Sequence, residues 1–298
     1  MSEFTAIDLS QLPAPDVVEP IDYEVVLASM LDDLQKRDSS FTALVESDPA
    51  MKILEVCAYR EMLIRQQFNE RAKAVMLAYA QGSDLDHLGA NYGVKRKVIK
   101  PADDNQVPPT PPIMESDEDF RRRIQLGPEG YSTAGPVGAY LAHSHNAHDQ
   151  IADVSVYSDE PGEVMITFLR RPLADEADMA PDEEIKQALL TALNDEDVRP
   201  LTDHITVQAA ETIDYAINAK LHVQQGPSSK AIMDTATAAL NTYVEQCYKL
   251  GKTVALSGIY DALHMGGVTR VELLSPAADI QAKVFQAPKA KSIFITLA

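Results

Sequence analysis

Residues 49–81 read PAMKILEVCAYREMLIRQQFNERAKAVMLAYAQ, and this stretch sets the character of the N-terminal third of the chain. Asp48 can accept from the free amides of a first helical turn, and Pro49 suits the first helical position, where its missing N–H leaves nothing unbonded. From Pro49 to Gln81 the apolar residues recur at helical spacing over about 30 residues, beyond the roughly 8 to 20 of an ordinary globular helix. They fall on two adjoining stripes, Ile53, Val56 and Leu63 on one and Leu54, Cys57, Ile64, Phe68, Val75 and Tyr79 on the other. One neighbouring helix cannot cover both, so this helix is expected to pack against more than one partner. Leu54, Ile64, Phe68, Val75 and Tyr79 are the candidate partner-interface residues. An internal core helix is the other reading of the same periodicity.

Upstream, a helix is expected from Asp22 with the apolar stripe Val25, Val26, Met30, Leu31 and Leu34. Residues 1–21, with Pro13, Pro15 and Pro20 among acids, read as an extended acidic arm. Residues 22–95 then form an N-terminal helical bundle region. Within it Ser83 and Asp86 have capping-box spacing, at the start of a short helix from Asp84 to Ala90 that Asn91 and Gly93 end. Residues 96–113 carry Pro101, Pro108, Pro109, Pro111 and Pro112, which exclude helix and central strand and predict a stiff linker. Residues 114–150 read as a helical connector: Ser116 and Asp119 repeat the capping spacing ahead of Phe120, Ile124 and Leu126, and a further helix runs from Thr133 to Ala147.

After residue 150 the apolar period moves from 3.6 towards 2. Asp153 to Tyr157 and Glu163 to Leu169 make a hairpin across Asp159, Pro161 and Gly162, followed by a helix from Pro181 to Leu193 and a strand from Asp203 to Gln208. A strand from Ile213 to Val223, helices from Ser229 to Cys247 and Leu256 to Leu263, and strands from Thr269 to Leu274 and Ser292 to Leu297 complete the pattern. The fold class is α+β: an N-terminal helical region with one long partner-packing helix, then two small α+β modules in tandem, residues 151–212 and 213–298.

Over 298 residues the net charge is -19, from 26 Lys and Arg against 45 Asp and Glu, which leaves no basic stripe for nucleic acid. The acids are densest in the first fifty residues, where they face only Lys36 and Arg37, so partners of that end should be neutral or basic. Cys57 and Cys247 make neither a disulfide framework nor a Cys-rich zinc site, and a reducing compartment is expected. No charged n-region precedes an apolar run, and no apolar window reaches the length of a membrane span. Synthesis and assembly in the cytoplasm, without membrane contact, are the expectation.

Catalytic patterns are missing from the sequence. Gly127, Gly130, Gly135 and Gly138 have neither the spacing nor the Lys-Ser/Thr of a phosphate loop, and there is no nucleophile elbow, zinc-binding His-Glu-x-x-His or EF-hand. His143, His145 and His148 with Asp149 are the one group with metal-ligand chemistry. On a helix His143 and His145 lie about 200° apart, and only His145 and His148 share a face. A helix C-terminus with imidazoles near its last carbonyls is the simpler reading; a metal-dependent enzyme using the three histidines is the rival. Glu115, Asp117, Glu118 and Asp119 beside Arg121, Arg122 and Arg123 read as a dipole-matched first turn with an Asp117–Arg121 pair. No catalytic residue, metal or cofactor is expected.

Four stretches, taken together and in order, resemble the baseplate J-like family of wedge proteins from contractile-tailed bacteriophages. These are Gly82-Ser-Asp-Leu-Asp-His-Leu-Gly-Ala-Asn-Tyr-Gly-Val-Lys-Arg96, Glu115-Ser-Asp-Glu-Asp-Phe-Arg-Arg-Arg-Ile124, Thr133-Ala-Gly-Pro136 with Ala152-Asp-Val-Ser-Val156, and Val198-Arg-Pro-Leu-Thr-Asp203. The resemblance implies a virion structural subunit of the tail baseplate, assembled in the host bacterial cytoplasm. It would pair with itself as a dimer within a wedge and bind a second wedge protein. It would also meet neighbouring wedges and sheath-proximal baseplate proteins, so that a ring closes around the tail hub and connects to the contractile sheath. The same parts occur in phage-tail-like bacteriocins and other contractile injection machines, and the sequence does not separate these from a phage. The helical end would bundle with the partner, the α+β modules would join neighbouring wedges, and the Pro-rich linker would let one part shift against the other.

Overall fold

The computed structural model describes residues 7, 9, 12, 13, 15–41, 45–104, 108–173, 179–223 and 229–297. The chain divides into two compact units, one of Thr5–Lys97 with Glu115–Gln125, the other of Val98–Met114 with Leu126–Ala298. Much of the expected arm at 1–21 lies outside the described residues. Helices come first and strands follow, giving the α+β class that the change of period predicts.

In the helical unit, α1 (Tyr23–Arg37) begins where Asp22, in extended backbone, accepts from the N–H groups of Glu24 at 2.8 Å and Val25 at 3.4 Å. α2 (Pro49–Ala74) begins the same way, with Asp48 accepting from the Ala50 N–H at 2.8 Å. The two helices pack through Tyr23, Val26, Leu27, Met30 and Leu31 on α1 and Met51, Leu54 and Ala58 on α2. Val25, expected in the buried stripe, is 66% exposed, because the face that meets α2 is centred on Val26 and Leu27, about 100° round the helix. Asn69 fixes the start of the hairpin by accepting from the Glu19 N–H at 3.1 Å and donating to the Glu19 carbonyl at 2.8 Å. The approach to α1 therefore lies beside the C-terminal part of α2, and the helices run antiparallel.

α2 stops at Ala74, seven residues before the expected end at Gln81. Its last turns tighten, with the Met76 N–H donating to the Lys73 carbonyl and the Tyr79 and Ala80 N–H groups to that of Met76. This bend carries Leu77 and Ala80 into a second small core with Leu85, Leu88, Val94, Phe120 and Ile124. Leu85 and Leu88 come from α3 (Gly82–Asn91), Phe120 and Ile124 from α4 (Asp117–Leu126). The expected capping box on Ser83 is not formed: Gln81 occupies the cap position without a side-chain bond, and Asp86 is bonded by Arg96 at 2.7 Å instead. At α4 the capping spacing does work, the Asp119 N–H donating to Ser116 Oγ at 3.2 Å.

The Pro-rich stretch forms a two-stranded antiparallel ribbon of β1 (Val98–Lys100) and β2 (Ile113–Met114), with a further bridge between Asp103 and Thr110. Both are edge strands, as residues lacking N–H donors require, and the prolines fall outside the paired positions. The ribbon's ends lie side by side, the Glu115 N–H donating to the Lys97 carbonyl at 3.0 Å.

The α+β unit enters through a 3-10 turn, Gly127–Tyr131, and α5 (Val137–Ala147). Its first sheet has the order β3 (Ile151–Tyr157), β4 (Glu163–Arg170), β5 (His204–Ala209), antiparallel then parallel, with α6 (Asp182–Leu193) making the crossover. Ile185, Leu189 and Leu193 of α6 and Tyr140 of α5 pack on Val154, Ile166 and Phe168. Next come β6 (Glu211–Val223), α7 (Ser229–Cys247), β7 (Thr253–Val254), α8 (Leu256–Leu263), β8 (Val268–Ser275), β9 (Ile280–Gln281) and β10 (Gln286–Leu297). The second sheet has the order β10-β6-β8, and β6 alternates buried Tyr215, Ile217, Ala219 and Leu221 with exposed Asp214, Ala216, Asn218 and Lys220. The first sheet is tied to the turn after α7 by buried Asp153, whose carboxylate accepts from the Leu250 N–H at 3.0 Å, and by Tyr248, whose hydroxyl donates to the Arg170 carbonyl at 3.3 Å.

Gly89 of α3 lies under the Phe120 ring: an added Cβ would meet Phe120 Cζ at 2.5 Å and the Val94 carbonyl at 2.8 Å. Helix propensity alone favours Ala over Gly by about 1 kcal/mol. Overpacking a fully buried ring against backbone costs about 1–3 kcal/mol and outweighs it. Gly89→Ala is therefore expected to destabilise the protein, seen as a lower midpoint in urea unfolding.

Candidate assembly surfaces

Two of the motif stretches, 82–96 and 115–124, fold onto each other through three arginines. Arg96, only 10% exposed at its side chain, bonds Asp86 at 2.7 Å, Asp117 at 2.7 Å and the Glu115 carbonyl at 2.8 Å. Its guanidinium also lies over the Phe120 ring, 4.7 Å from the centroid. Arg123 pairs with the buried Glu115 carboxylate at 2.5 Å and reaches the Lys95 carbonyl at 3.2 Å. Arg121 donates to the carbonyls of Leu77 and Ala80, both at 2.7 Å, at the bend where α2 ends. The expected Asp117–Arg121 pair along α4 is thus replaced by partners from other elements: Asp117 accepts from Arg96 and from the Gly82 N–H at 3.1 Å. These charged residues are held by one another and by main-chain carbonyls of other elements, and periodicity does not reveal it, because spacing reports faces and not partners.

The remaining stretches also meet. Gly135, at φ +73°, brings its α-carbon against Pro200, so that a Cβ there would stand 2.6 Å from Pro200 Cγ and 3.2 Å from Asp203 Oδ2. One turn further on, the Tyr140 hydroxyl donates to Asp203 at 2.7 Å. Burial, then this bond and the charge of Asp203, raise the Tyr140 pKa well above the ordinary phenol value.

The three histidines go to separate partners. His143 Nε2 is 3.1 Å from the Gly130 carbonyl, His145 is buried with Nε2 4.0 Å from Asp153, and His148 Nδ1 accepts from the Gln150 N–H at 3.1 Å while Nε2 stands 3.7 Å from Glu184. Among the described residues no group of three or more His, Cys, Asp and Glu side chains is placed to hold a metal ion.

On α2, the side away from Ala58 leaves large apolar residues in solvent: Ile53 is 65% exposed, Val56 62%, Ile64 52% and Phe68 64%, and Val75 just beyond the helix 70%. Ile64, Phe68 and Val75 of the interface candidates lie here. Leu54 instead faces α1, and Tyr79 is half-buried with the Lys73 ammonium 5.8 Å from its ring centroid. Ile53 and Val56 belong to the same exposed face although the sequence places them on the neighbouring stripe.

Motifs spent on tertiary bonds and a helix with an exposed apolar row are the features expected of an assembly protein. The particular family follows from comparison. The model of the baseplate J-like N-terminal domain matches residues 46–103 and that of the baseplate J-like central domain residues 132–209. Baseplate protein J of Escherichia phage P2 is 48% identical over 281 residues, covering 92% of each chain. The chain belongs to the baseplate J-like family and is a structural subunit of the tail baseplate. Among solved structures, a chain of the anti-feeding prophage baseplate, imaged by cryo-EM with 6-fold symmetrisation, aligns with 90% of this chain at 9% identity and a TM-score of 0.35. This chain spans 53% of its length.

The Asp117 carboxyl is held below its ordinary value of 3.8: burial alone would raise it, but hydrogen bonds from the Gly82 N–H and Arg96, with the charges of Arg96 and Arg121, prevail. A carboxyl lowered in the folded state adds stability above its unfolded pKa, and that contribution disappears as pH falls through the folded one. Asp117→Asn is therefore expected to melt earlier than the parent protein near neutral pH. The difference should close as pH drops below 3.8, which thermal melts across that range would read.

Proposed function

We propose that this chain is the wedge subunit of a contractile phage tail baseplate, associating with a second copy of itself and binding a second wedge protein. Wedges built in this way close into a ring around the tail hub and connect to the sheath. The observation that carries this reading is the uncovered row on α2, where Ile53, Val56, Ile64 and Phe68 are each more than half exposed. Apolar surface left in water forgoes about 25 cal/mol per Å2, and a contiguous row of it marks a protein contact. Residues 22–95 supply the partner-binding part, with Ile64, Phe68 and Val75 at its centre. The modules at 151–212 and 213–298 join neighbouring wedges.

The role is structural, without catalysis: Arg96, Arg121, Arg123, Glu115 and Asp117 hold elements together, and Asp153 and Asp203 accept tertiary hydrogen bonds. The acidic balance, -19 over the chain, disfavours nucleic acid as a partner. No helix among the described residues is long and apolar enough to cross a membrane. The 48% identity to the phage P2 baseplate protein supports placement in the same kind of particle.

The test is co-expression with genomic neighbours, affinity capture and mass determination by light scattering. A stable hetero-complex holding more than one copy of this chain is expected. Phe68→Asp, at an exposed position where folding is little affected, should reduce its recovery roughly tenfold while leaving the melting temperature within about 2 °C. A monomer that ignores its neighbours would overturn the proposal.

A further inference from the structure

The exposed row of α2 carries charge as well as apolar surface. Val56, Arg60, Ile64 and Phe68 follow one another at four-residue intervals on the same side of the helix, and Arg71 comes three residues later. The other basic side chains of α2 are engaged: Lys52 with Glu55 at 2.9 Å, Arg65 with Glu61 at 2.6 Å and Glu19 at 3.7 Å, and Lys73 over the Tyr79 ring. Arg60 and Arg71 are exposed and have no hydrogen-bond or ion-pair partner among the described residues. In a chain of net charge -19, the two unmatched guanidinium groups of this helix thus lie on its one uncovered apolar face.

A helix laid along this row would take both arginines out of water together with Ile64 and Phe68. An unpaired charge removed from water is costly, whereas a carboxylate that meets a guanidinium in bidentate geometry restores its hydrogen bonds. Arg60 and Arg71 stand three turns apart, about 16 Å at the helical rise. We infer that the occupant of this face is an amphipathic helix of a partner polypeptide, with carboxylates about three turns apart flanking its apolar stripe. The arginines select this helix by charge, while Val56, Ile64 and Phe68 supply the contact area. The inference rests on the proposed docking role of α2 and adds the chemistry of what docks there. A second copy offering the same face would set arginine against arginine, which argues for a different chain.

The test titrates the full chain, by fluorescence anisotropy, against two labelled helical peptides of about 28 residues, long enough to hold a helix on the row. They share one leucine stripe and differ only at the two flanking positions, Glu in one and Lys in the other. The Glu peptide should bind roughly tenfold more tightly at low ionic strength, with an advantage that shrinks as salt is added. The double variant Arg60→Glu/Arg71→Glu should invert the preference, and Phe68→Asp should weaken both peptides; circular dichroism confirms that each variant is folded. Equal affinity for the two peptides would overturn charge selection while leaving the apolar docking face in place. Binding of neither would overturn both. A doubling of mass without peptide, abolished by Phe68→Asp, would make a second copy the occupant and overturn the inference.

Discussion

Phe120, held between Gly89 and the guanidinium of Arg96, is the contact on which the helical unit depends. Without a Cβ at residue 89 the ring can lie directly on α3, and with the ring in place Arg96 has a flat surface to cover. From that position Arg96 reaches Asp86 on α3 and Asp117 at the start of α4. The same helix α4 sends Arg121 back to the bend after α2 and Arg123 to Glu115. One aromatic ring and its arginines thereby fix the direction in which α2 ends, the start of α3 and the placement of α4. Removing one member of such a buried pair leaves the other charge unmatched, which typically costs about 3–5 kcal/mol.

This arrangement explains why the exposed face of α2 stays uncovered. α1 is 15 residues long and α2 is 26, and the apolar cluster between them takes Met51, Leu54 and Ala58 from the N-terminal half of α2. The rest of the small core is drawn in by the bend at Ala74, which takes Leu77 and Ala80 away from the helix axis. Ile64 and Phe68 are left more than half exposed. A baseplate subunit meets other baseplate proteins, and a helix with one face committed internally and another exposed suits that use better than a loop, because little order has to be gained on binding.

Much of the fold was legible in the sequence where a single local pattern decides the outcome. Asp48-Pro49 started α2 as expected, the change of period after residue 150 marked the strands, and Ser116 capped α4. Reading failed where a distant residue wins over a local one. Residues 75–80 contain no Gly or Pro to end a helix, and the bend there finds its partners at a distance: Arg121 on the Leu77 and Ala80 carbonyls, and the small core that receives both side chains. Asp117 and Arg121 have ideal spacing for each other, yet both go elsewhere, since partly buried bonds to Arg96 and to main-chain carbonyls are stronger than an exposed pair along a helix. Of the partner-interface candidates Ile64, Phe68 and Val75 are exposed, whereas Leu54 packs against α1, a contact that periodicity on α2 alone does not reveal. Arg60 and Arg71 become distinctive only once the partners of Lys52, Arg65 and Lys73 are known.

The neighbouring positions of Lys97 and Glu115 have a consequence for how this protein could diverge. The backbone departs and returns through one hydrogen-bonded pair of residues, so the segment between them begins and ends at a closed base. Material added between Asp103 and Thr110 would alter loop-closure entropy by only about 0.6 kcal/mol per doubling of length, without moving α3 or α4. The Lys97–Glu115 pair would therefore stay closed across insertions of different length in this segment.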